Sequence, residues 1–153
     1  MHLQVVSSPK KGHGPDEGRT PQERLFDRIA ALRRAGVNIV GVAPELGGAH
    51  LRWVVRDKDV DQALAALAPW RPIVRPAFTI ALPDGPGELD RLLGRLAKDY
   101  SIESVIVLAA RGPDGQVLVS VGLDRAVEWD DWGAMGGWYD DEDHPRTEPA
   151  SAS

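Results

Sequence analysis

Apolar positions in the first half of the chain change spacing from one segment to the next. Leu25, Ile29 and Leu32 recur at helical spacing, whereas the apolar runs on either side of Gly47 and Gly48 are β-branched and continuous, as in a buried hairpin. The elements predicted there are a strand at residues 3–6, a helix from Thr20 to Gly36, a hairpin of residues 37–42 and 51–55, a helix at 57–67 and a short edge strand at 73–74.

The segment before the first helix differs in composition. Residues 7–20 are dense in Gly, Pro, Ser and charge, so the sequence predicts a flexible loop that buries no face. Thr20 at the N-cap, Pro21 at the first helical position and Glu23 three residues after the cap are typical of a capping box. Gly36 is expected to end the helix.

The second half repeats the same order of elements. Leu89, Leu93 and Leu96 correspond to the helical stripe of the first half at one constant offset, which indicates an internal repeat. The elements predicted are a strand at 78–82, a turn at 84–87, a helix at 89–96, a hairpin of 102–109 and 117–121 and a short last helix at 123–132.

A strand, helix, hairpin, helix, strand order places both helices on one face of an antiparallel sheet. The sequence therefore predicts an α+β protein of two tandem ferredoxin-like βαββαβ units. We expect a first unit at 1–74, a second unit at 75–133 with its closing strand missing or eroded, and an acidic, largely disordered tail at 134–153. The aromatic residues in and just before the tail are expected to fold back on the second unit or to contact a partner; they are Trp129, Trp132, Trp138 and Tyr139.

Composition narrows the functional classes. The chain has 153 residues, no cysteine and a formal charge of −5. Without cysteine there is no disulfide framework, thiolate nucleophile or zinc–thiolate site, and with no apolar run long enough for a signal peptide or spanning helix we expect a cytoplasmic protein that does not bind membranes. Basic residues are spread along the chain, which argues against nucleic acid as a partner.

Metal, cofactor and catalytic motifs are absent from the sequence. His2, His13, His50 and His144 are scattered, and the acidic run at 140–144 lacks the spacing of a calcium loop, so we expect no metal. No phosphate loop, dinucleotide fingerprint or nucleophile motif is present, so we expect no cofactor and no enzyme activity. A buried His50 facing a closed cavity would argue for an enzyme instead.

The turn before the second helix carries the most specific motif. Asp84, Gly85, Pro86 and Gly87 stand between a predicted strand and an amphipathic helix, where glycines permit a sharp turn that exposes N–H groups at the positive helix end. With Leu89, this segment resembles the first turn of the ACT-domain family of small-molecule regulatory modules. The resemblance covers residues 77–123, with a similar stretch at 25–67.

The resemblance also implies a ligand site. In ACT proteins an amino-acid effector commonly lies between paired domains, held by the glycine turn of one and the second strand of the other. Gly36, Asn38 and Ile39 resemble the family's pattern at the start of that strand. By this resemblance, Asp84, Gly85, Gly87 and Leu89 would face Asn38 and Ile39 across the internal interface.

The two halves differ at the positions that matter for this site. The first half has Pro21, Gln22 and Glu23 where the second has the glycine turn, and the second half has Glu103 and Ser104 in the region of Asn38. We therefore expect at most one effector site. The alternatives remain that the glycines only form a turn and that Asn38 is a local cap.

Two functions follow from these patterns. The first is a regulatory protein that acts in trans by binding a small effector, an amino acid or similar small anion. The alternative is a ligand-free protein–protein interaction module that uses the sheet and the Trp-rich acidic tail. The sequence leaves open whether two chains form a homodimer.

Overall fold

The computed structural model describes residues 3–12, 14–126, 138–139 and 145–146. Its helices are α1 (Pro21–Arg34), α2 (Val60–Ala66) and α3 (Glu88–Leu96). The strands are β1 (Leu3–Pro9), β2 (Ile39–Pro44), β3 (His50–Arg56), β4 (Ile73–Arg75), β5 (Ala77–Leu82), β6 (Ile102–Arg111), β7 (Val117–Leu123), β8 (Trp138–Tyr139) and β9 (Pro145–Arg146).

The first sheet is antiparallel, with the strand order β2-β3-β1-β4. Helices α1 and α2 cover one of its faces, because their apolar side chains share a core with alternate residues of the strands. That core contains Leu32 and Leu67 from the helical side and Val6, Trp53 and Val55 from the strands. This is the βαββαβ unit that the apolar pattern predicts.

Helix α1 begins and ends where the sequence predicts. The Thr20 hydroxyl accepts a hydrogen bond from the Glu23 N–H, and the Glu23 carboxylate accepts one from the Thr20 N–H, so the capping box is complete. At the other end Gly36 has a φ of 74°, a left-handed conformation that ends the helix.

The second sheet has the order β6-β7-β5-β8-β9, and α3 packs on one face of its first three strands. The prediction of a last helix at 123–132 is wrong over residues 123–126, the part of it that the structure describes. Leu123 is the final residue of β7, and Asp124–Ala126 are not helical. The Leu123 side chain is fully buried in the core between the sheet and the helix. This burial favours a strand at a residue where the sequence predicted a helix.

The two sheets face one another on the sides that carry no helix. Val5 and Val54 from the first sheet join Ala81, Ile106 and Leu118 from the second in one buried cluster. Each of these alternates along its strand with residues of the helix-covered cores, as the two-residue repeat of a strand requires. The layers therefore run helix, sheet, sheet, helix, and the chain has the α+β architecture of two ferredoxin-like units.

The loop before α1 differs from the expectation. Ser7 and Ser8 belong to β1 and are buried, and Asp16 is buried as well. The Ser8 hydroxyl accepts a hydrogen bond from the Trp53 indole at 3.0 Å, and Asp16 forms an ion pair with Arg28. Polar residues can be buried here because each has a specific partner, which composition alone does not reveal.

The change from one sheet to the other falls at Pro76, between β4 and β5. Beyond residue 126 only β8 and β9 are described. Strand β8 pairs with β5 at Ile80 and Trp138, and in a complete unit β5 is the strand that the closing strand would pair with. The other tail residues, with Trp129, Trp132 and the acidic run, lie outside the described residues. Within the described part of the chain, no helix is long and apolar enough to cross a membrane.

Candidate functional site

The glycine turn joins β5 directly to α3. Gly87 is the N-cap of α3 and has a φ of 81°, a left-handed conformation that glycine adopts without steric cost. No side chain caps this helix, and the Glu88 N–H makes one long bond, of 3.4 Å, to the Gly85 carbonyl; the next N–H groups of the first turn and the positive end of the helix dipole are left for water or a ligand. The Arg91 N–H bonds the Gly87 carbonyl at 2.9 Å, which starts the helix there.

A pocket of about 140 Å³ lies beside this turn, and we call it the turn pocket. One wall is the turn itself, and the other is apolar and comes from the helix-covered side of the second sheet. Val107 on the edge strand β6 is 57% exposed, so the apolar wall is open to solvent at that edge. The lining residues are Leu82, Pro83, Asp84, Gly85, Glu88, Leu89, Val107, Val117 and Val119.

Charges of both signs surround the mouth of the turn pocket. An Asp84 carboxylate oxygen lies 3.2 Å from Arg111 Nη1, and a Glu88 carboxylate oxygen lies 3.1 Å from Arg91 Nη2. Both pairs are solvent-exposed, so their net energies are small and their side chains are free to exchange partners with a ligand. The mouth can therefore complement a zwitterion beside an apolar group.

The structure brings together only part of the predicted site. Asp84, Gly85 and Leu89 line the turn pocket and Gly87 starts the adjoining helix, whereas Asn38 and Ile39 do not line it. Asn38 is exposed just before β2, and Ile39 packs against the helix-covered core of the first half.

Strand β2 nevertheless runs beside β6, antiparallel to it. The Leu46 N–H bonds the Glu103 carbonyl at 2.9 Å, and an added Cβ at Gly41 would lie about 3 Å from Ile106 and Leu108 side chains. The start of β2 is therefore directed toward the end of β6 at Arg111, the partner of Asp84.

A charged cluster at the seam between the sheets was not predicted from the sequence. The buried Arg52 of β3 contacts Glu45 through Nε at 2.7 Å and Glu103 of β6 through Nη2. Arg75 also contacts Glu103, at 2.9 Å. The sequence held one sign of this cluster. Arg52 is a charged residue within the apolar run of β3, and it faces the opposite side of the strand from Trp53.

A second buried charge, Arg28, was also missed. It is fully buried on α1, donates to both oxygens of Asp16 at 3.0 and 2.7 Å, and lies 4.8 Å from the centroid of Trp70. Arg28 falls between Leu25 and Leu32 on the apolar stripe of α1. A charge at helical spacing within an apolar stripe was the signal in the sequence.

His50 does not have the environment that would favour an enzyme. Its ring is 41% exposed and lies 3.4 Å from Glu45, at the start of β3. Among the described residues, no cluster of His, Asp and Glu is arranged to hold a metal ion.

Comparisons with known proteins concern the fold. No family model matches the chain, and no curated protein matches it. Among solved structures, protein BT0572 of Bacteroides thetaiotaomicron is similar with a TM-score of 0.55 and 22% identity over 81% of this chain and 80% of that one. The regulatory subunit of aspartate kinase from Thermus thermophilus, in its ligand-free form, is similar with a TM-score of 0.50 and 17% identity over 80% of this chain and 82% of that one.

At such identities the likeness establishes the fold alone. It agrees with the arrangement of two antiparallel sheets covered by helices, and so confirms the α+β fold of two ferredoxin-like units that the order of elements predicts.

Proposed function

We propose that this protein is a regulatory module without catalytic activity of its own that binds a small effector, an amino acid or similar small anion, at the turn pocket. The observation that carries the proposal is the uncapped α3 N-terminus at Gly87, which borders a pocket with an apolar wall in an ACT-like fold. A structure of similar fold belongs to the regulatory subunit of an aspartate kinase, which supports a regulatory role. The protein would then act in trans on a separate partner.

The turn pocket suits an amino acid in size and in charge. Its volume of about 140 Å³ is far below the range of roughly 300–1,000 Å³ typical of drug-sized ligands. An effector carboxylate would accept hydrogen bonds at the α3 N-terminus and face Arg111, while its ammonium group would face Asp84 or Glu88. The side chain would pack against Val107.

Asn38, which is exposed just before β2, would supply a further contact from the first half, whereas Ile39 packs into the helix-covered core of that half and would only hold Asn38 in place. The direction of β2 beside β6 supports this, because the start of β2 is directed toward the end of β6 that carries Arg111. An effector held by both halves would couple its binding to their relative position. That coupling is the physical basis for regulation by such a module.

The test is a thermal-shift screen of the full chain against the common amino acids, followed by calorimetry on any that stabilise it. Val107→Trp should fill the turn pocket and abolish the response. Val42→Trp is the matched control. Val42 lies on the corresponding edge strand β2, on the helix-covered face of the first sheet, as Val107 does on that of the second sheet. No stabilisation by any amino acid, or equal loss in both variants, would contradict the proposal.

The contribution of the first half has its own test. Asn38→Ala should weaken binding of an effector found in the screen by about tenfold if Asn38 donates one good hydrogen bond to it. Unchanged affinity in Asn38→Ala would restrict the site to the second half.

The interaction-module alternative has one favourable observation. Ile73 and Val74 are 51% and 46% exposed on β4, which is the outermost strand of the first sheet among the residues that the structure describes, an unusual placement for apolar side chains. If this alternative holds, Ile73→Lys should abolish capture of a partner protein while leaving the amino-acid screen unchanged.

A further inference from the structure

A second pocket, of about 200 Å³, lies in the first half where the end of β1 meets the loop before β4. We call it the loop pocket. It is separate from the turn pocket, with which it shares no residue. The lining residues are Pro9, Lys11, Gly12, Pro69, Trp70 and Arg71.

The charge of the loop pocket is positive and unbalanced. Lys11 and Arg71 are exposed at its surface, and within the described part of the chain neither side chain has an ion pair or hydrogen bond. Asp16, which bonds the Gly12 N–H and the Trp70 indole of the lining, is already bound by Arg28. In a chain with a formal charge of −5, two cations left without a counter-charge around one pocket favour an anion from solution.

The floor of the loop pocket is held rigidly. Asp16 accepts hydrogen bonds from Arg28, from the Trp70 indole at 3.1 Å and from the Gly12 N–H. One buried carboxylate therefore ties both loops that line the pocket to α1. A binding surface fixed before the ligand arrives loses less entropy on binding.

Arg71 is held in an uncommon backbone conformation. Its φ is 52° and its ψ is 61°, in the left-handed region that residues other than glycine seldom occupy. The Arg71 N–H bonds the Ala68 carbonyl at 3.1 Å, which keeps the turn in this shape. A strained residue with an unpaired cationic side chain beside a pocket is consistent with a ligand contact.

We propose that the loop pocket binds a small organic anion, with its carboxylate or phosphate group between Lys11 and Arg71 and its apolar part against Pro9, Pro69 and Trp70. The charge selects the anionic group, because a guanidinium and an ammonium bind either oxyanion through charge-assisted hydrogen bonds. The prolines and the edge of Trp70 favour a short apolar portion. This site is additional to the turn pocket and does not depend on it.

The test uses nuclear magnetic resonance on the full chain, titrated separately with propionate and with inorganic phosphate at constant ionic strength set with sodium chloride. The readout is the indole N–H resonance of Trp70, assigned with Trp70→Phe. We expect that resonance to shift in a saturable way with at least one probe. The probe that moves it identifies the oxyanion, carboxylate or phosphate.

Variants connect the shift to the two cations. Arg71→Gly removes the charge and suits the left-handed backbone, so the variant should fold; it and Lys11→Gln should each weaken binding by about tenfold. Lys58→Gln is the control, since Lys58 is exposed near the opposite end of β1 and should leave binding unchanged.

Absence of a saturable shift with both probes would overturn the proposal, and so would equal weakening in Lys58→Gln. Val107→Trp separates the two sites, because it blocks the turn pocket and should leave the Trp70 response intact. If the amino-acid screen fails, the proposal for the loop pocket is unaffected. If neither anion shifts the Trp70 resonance, the proposal for the turn pocket is unaffected.

Discussion

Arg52 and Glu103 form an ion pair that joins the two halves of the chain. Arg52 belongs to the first sheet and is fully buried, whereas Glu103 belongs to the edge strand of the second sheet. Glu45 and Arg75 extend the pair into a network of alternating charge. Because a buried guanidinium without a carboxylate is costly, this network favours one relative position of the two sheets.

Removing the shared cation should destabilise the fold strongly. Arg52→Ala leaves both Glu45 and Glu103 without their buried partner and leaves a cavity, so we expect a loss of about 3 kcal/mol in the free energy of unfolding. Urea denaturation measures it. Asp27→Ala, which breaks an exposed pair with Arg19, is the control and should cost less than about 1 kcal/mol. Similar losses in the two variants would show that the seam network adds no stability.

Gly122 lies where β7 passes Arg52 and Ser104. A Cβ at Gly122 would overlap the Ser104 hydroxyl and lie 3.2 Å from Arg52 Nη1. Gly122→Ala should therefore destabilise the protein by about 1–3 kcal/mol, as overpacking of a core does. The double variant Gly122→Ala with Ser104→Ala should recover part of that loss, since it removes the overlapping oxygen. Denaturation midpoints of the three variants check this, and no recovery would refute the assigned clash.

Substitution of Gly94 in α3 by alanine should stabilise the protein, in contrast to Gly122→Ala. A Cβ there meets no atom within 4 Å, and the backbone is an ordinary helical one. Because alanine is about 1 kcal/mol more favourable than glycine inside a helix, Gly94→Ala should raise the free energy of unfolding by roughly 0.5–1 kcal/mol. Thermal melting gives the sign directly. A lower melting temperature would mean that α3 does not pack as described.

Asp16 should make stability depend on acid pH. Burial raises the pKa of its carboxyl, but hydrogen bonds from Arg28, Gly12 and Trp70 and the charge of Arg28 outweigh burial and hold the pKa below its ordinary value of 3.8. A lowered pKa in the folded state means that the ionised group stabilises the fold above about pH 4 and that this contribution is lost as the pH falls through the folded pKa.

Asp16→Asn tests this linkage. The variant should be less stable than the unmodified chain at pH 7 by about 3 kcal/mol, since it leaves Arg28 buried without a counter-charge. The difference should narrow below about pH 4, because the unfolded chain then binds a proton at Asp16, and it should vanish only as the pH falls through the lowered pKa of the folded carboxyl. Urea midpoints between pH 7 and pH 3 measure it. If the difference in stability stays constant over this range, ionisation of Asp16 does not contribute to the loss of stability in acid.

The order of elements was predictable because it depends on local spacing. The stripe of Leu25, Ile29 and Leu32 and the capping box at Thr20 are read from residues a few positions apart. The glycine turn at Gly87 was predictable for the same reason, since a left-handed N-cap favours glycine whatever surrounds it. The burial of Asp16 was not, because its partners Arg28 and Trp70 are distant in sequence and its own neighbours are those of a solvated loop.

The sequence by itself determined most of the helices and strands, their duplicated order and the glycine turn, because each follows from the spacing of apolar side chains or from the φ that one residue can adopt; the end of β1 and the end of β7 at Leu123 did not follow from it. Only the tertiary structure decided that the bare sheet faces stack, that Arg52 meets Glu103 across the seam, and that Lys11 and Arg71 share a pocket. Those pairings arise from packing and from the need of a buried charge for a partner, and neither can be read from neighbouring positions along the chain.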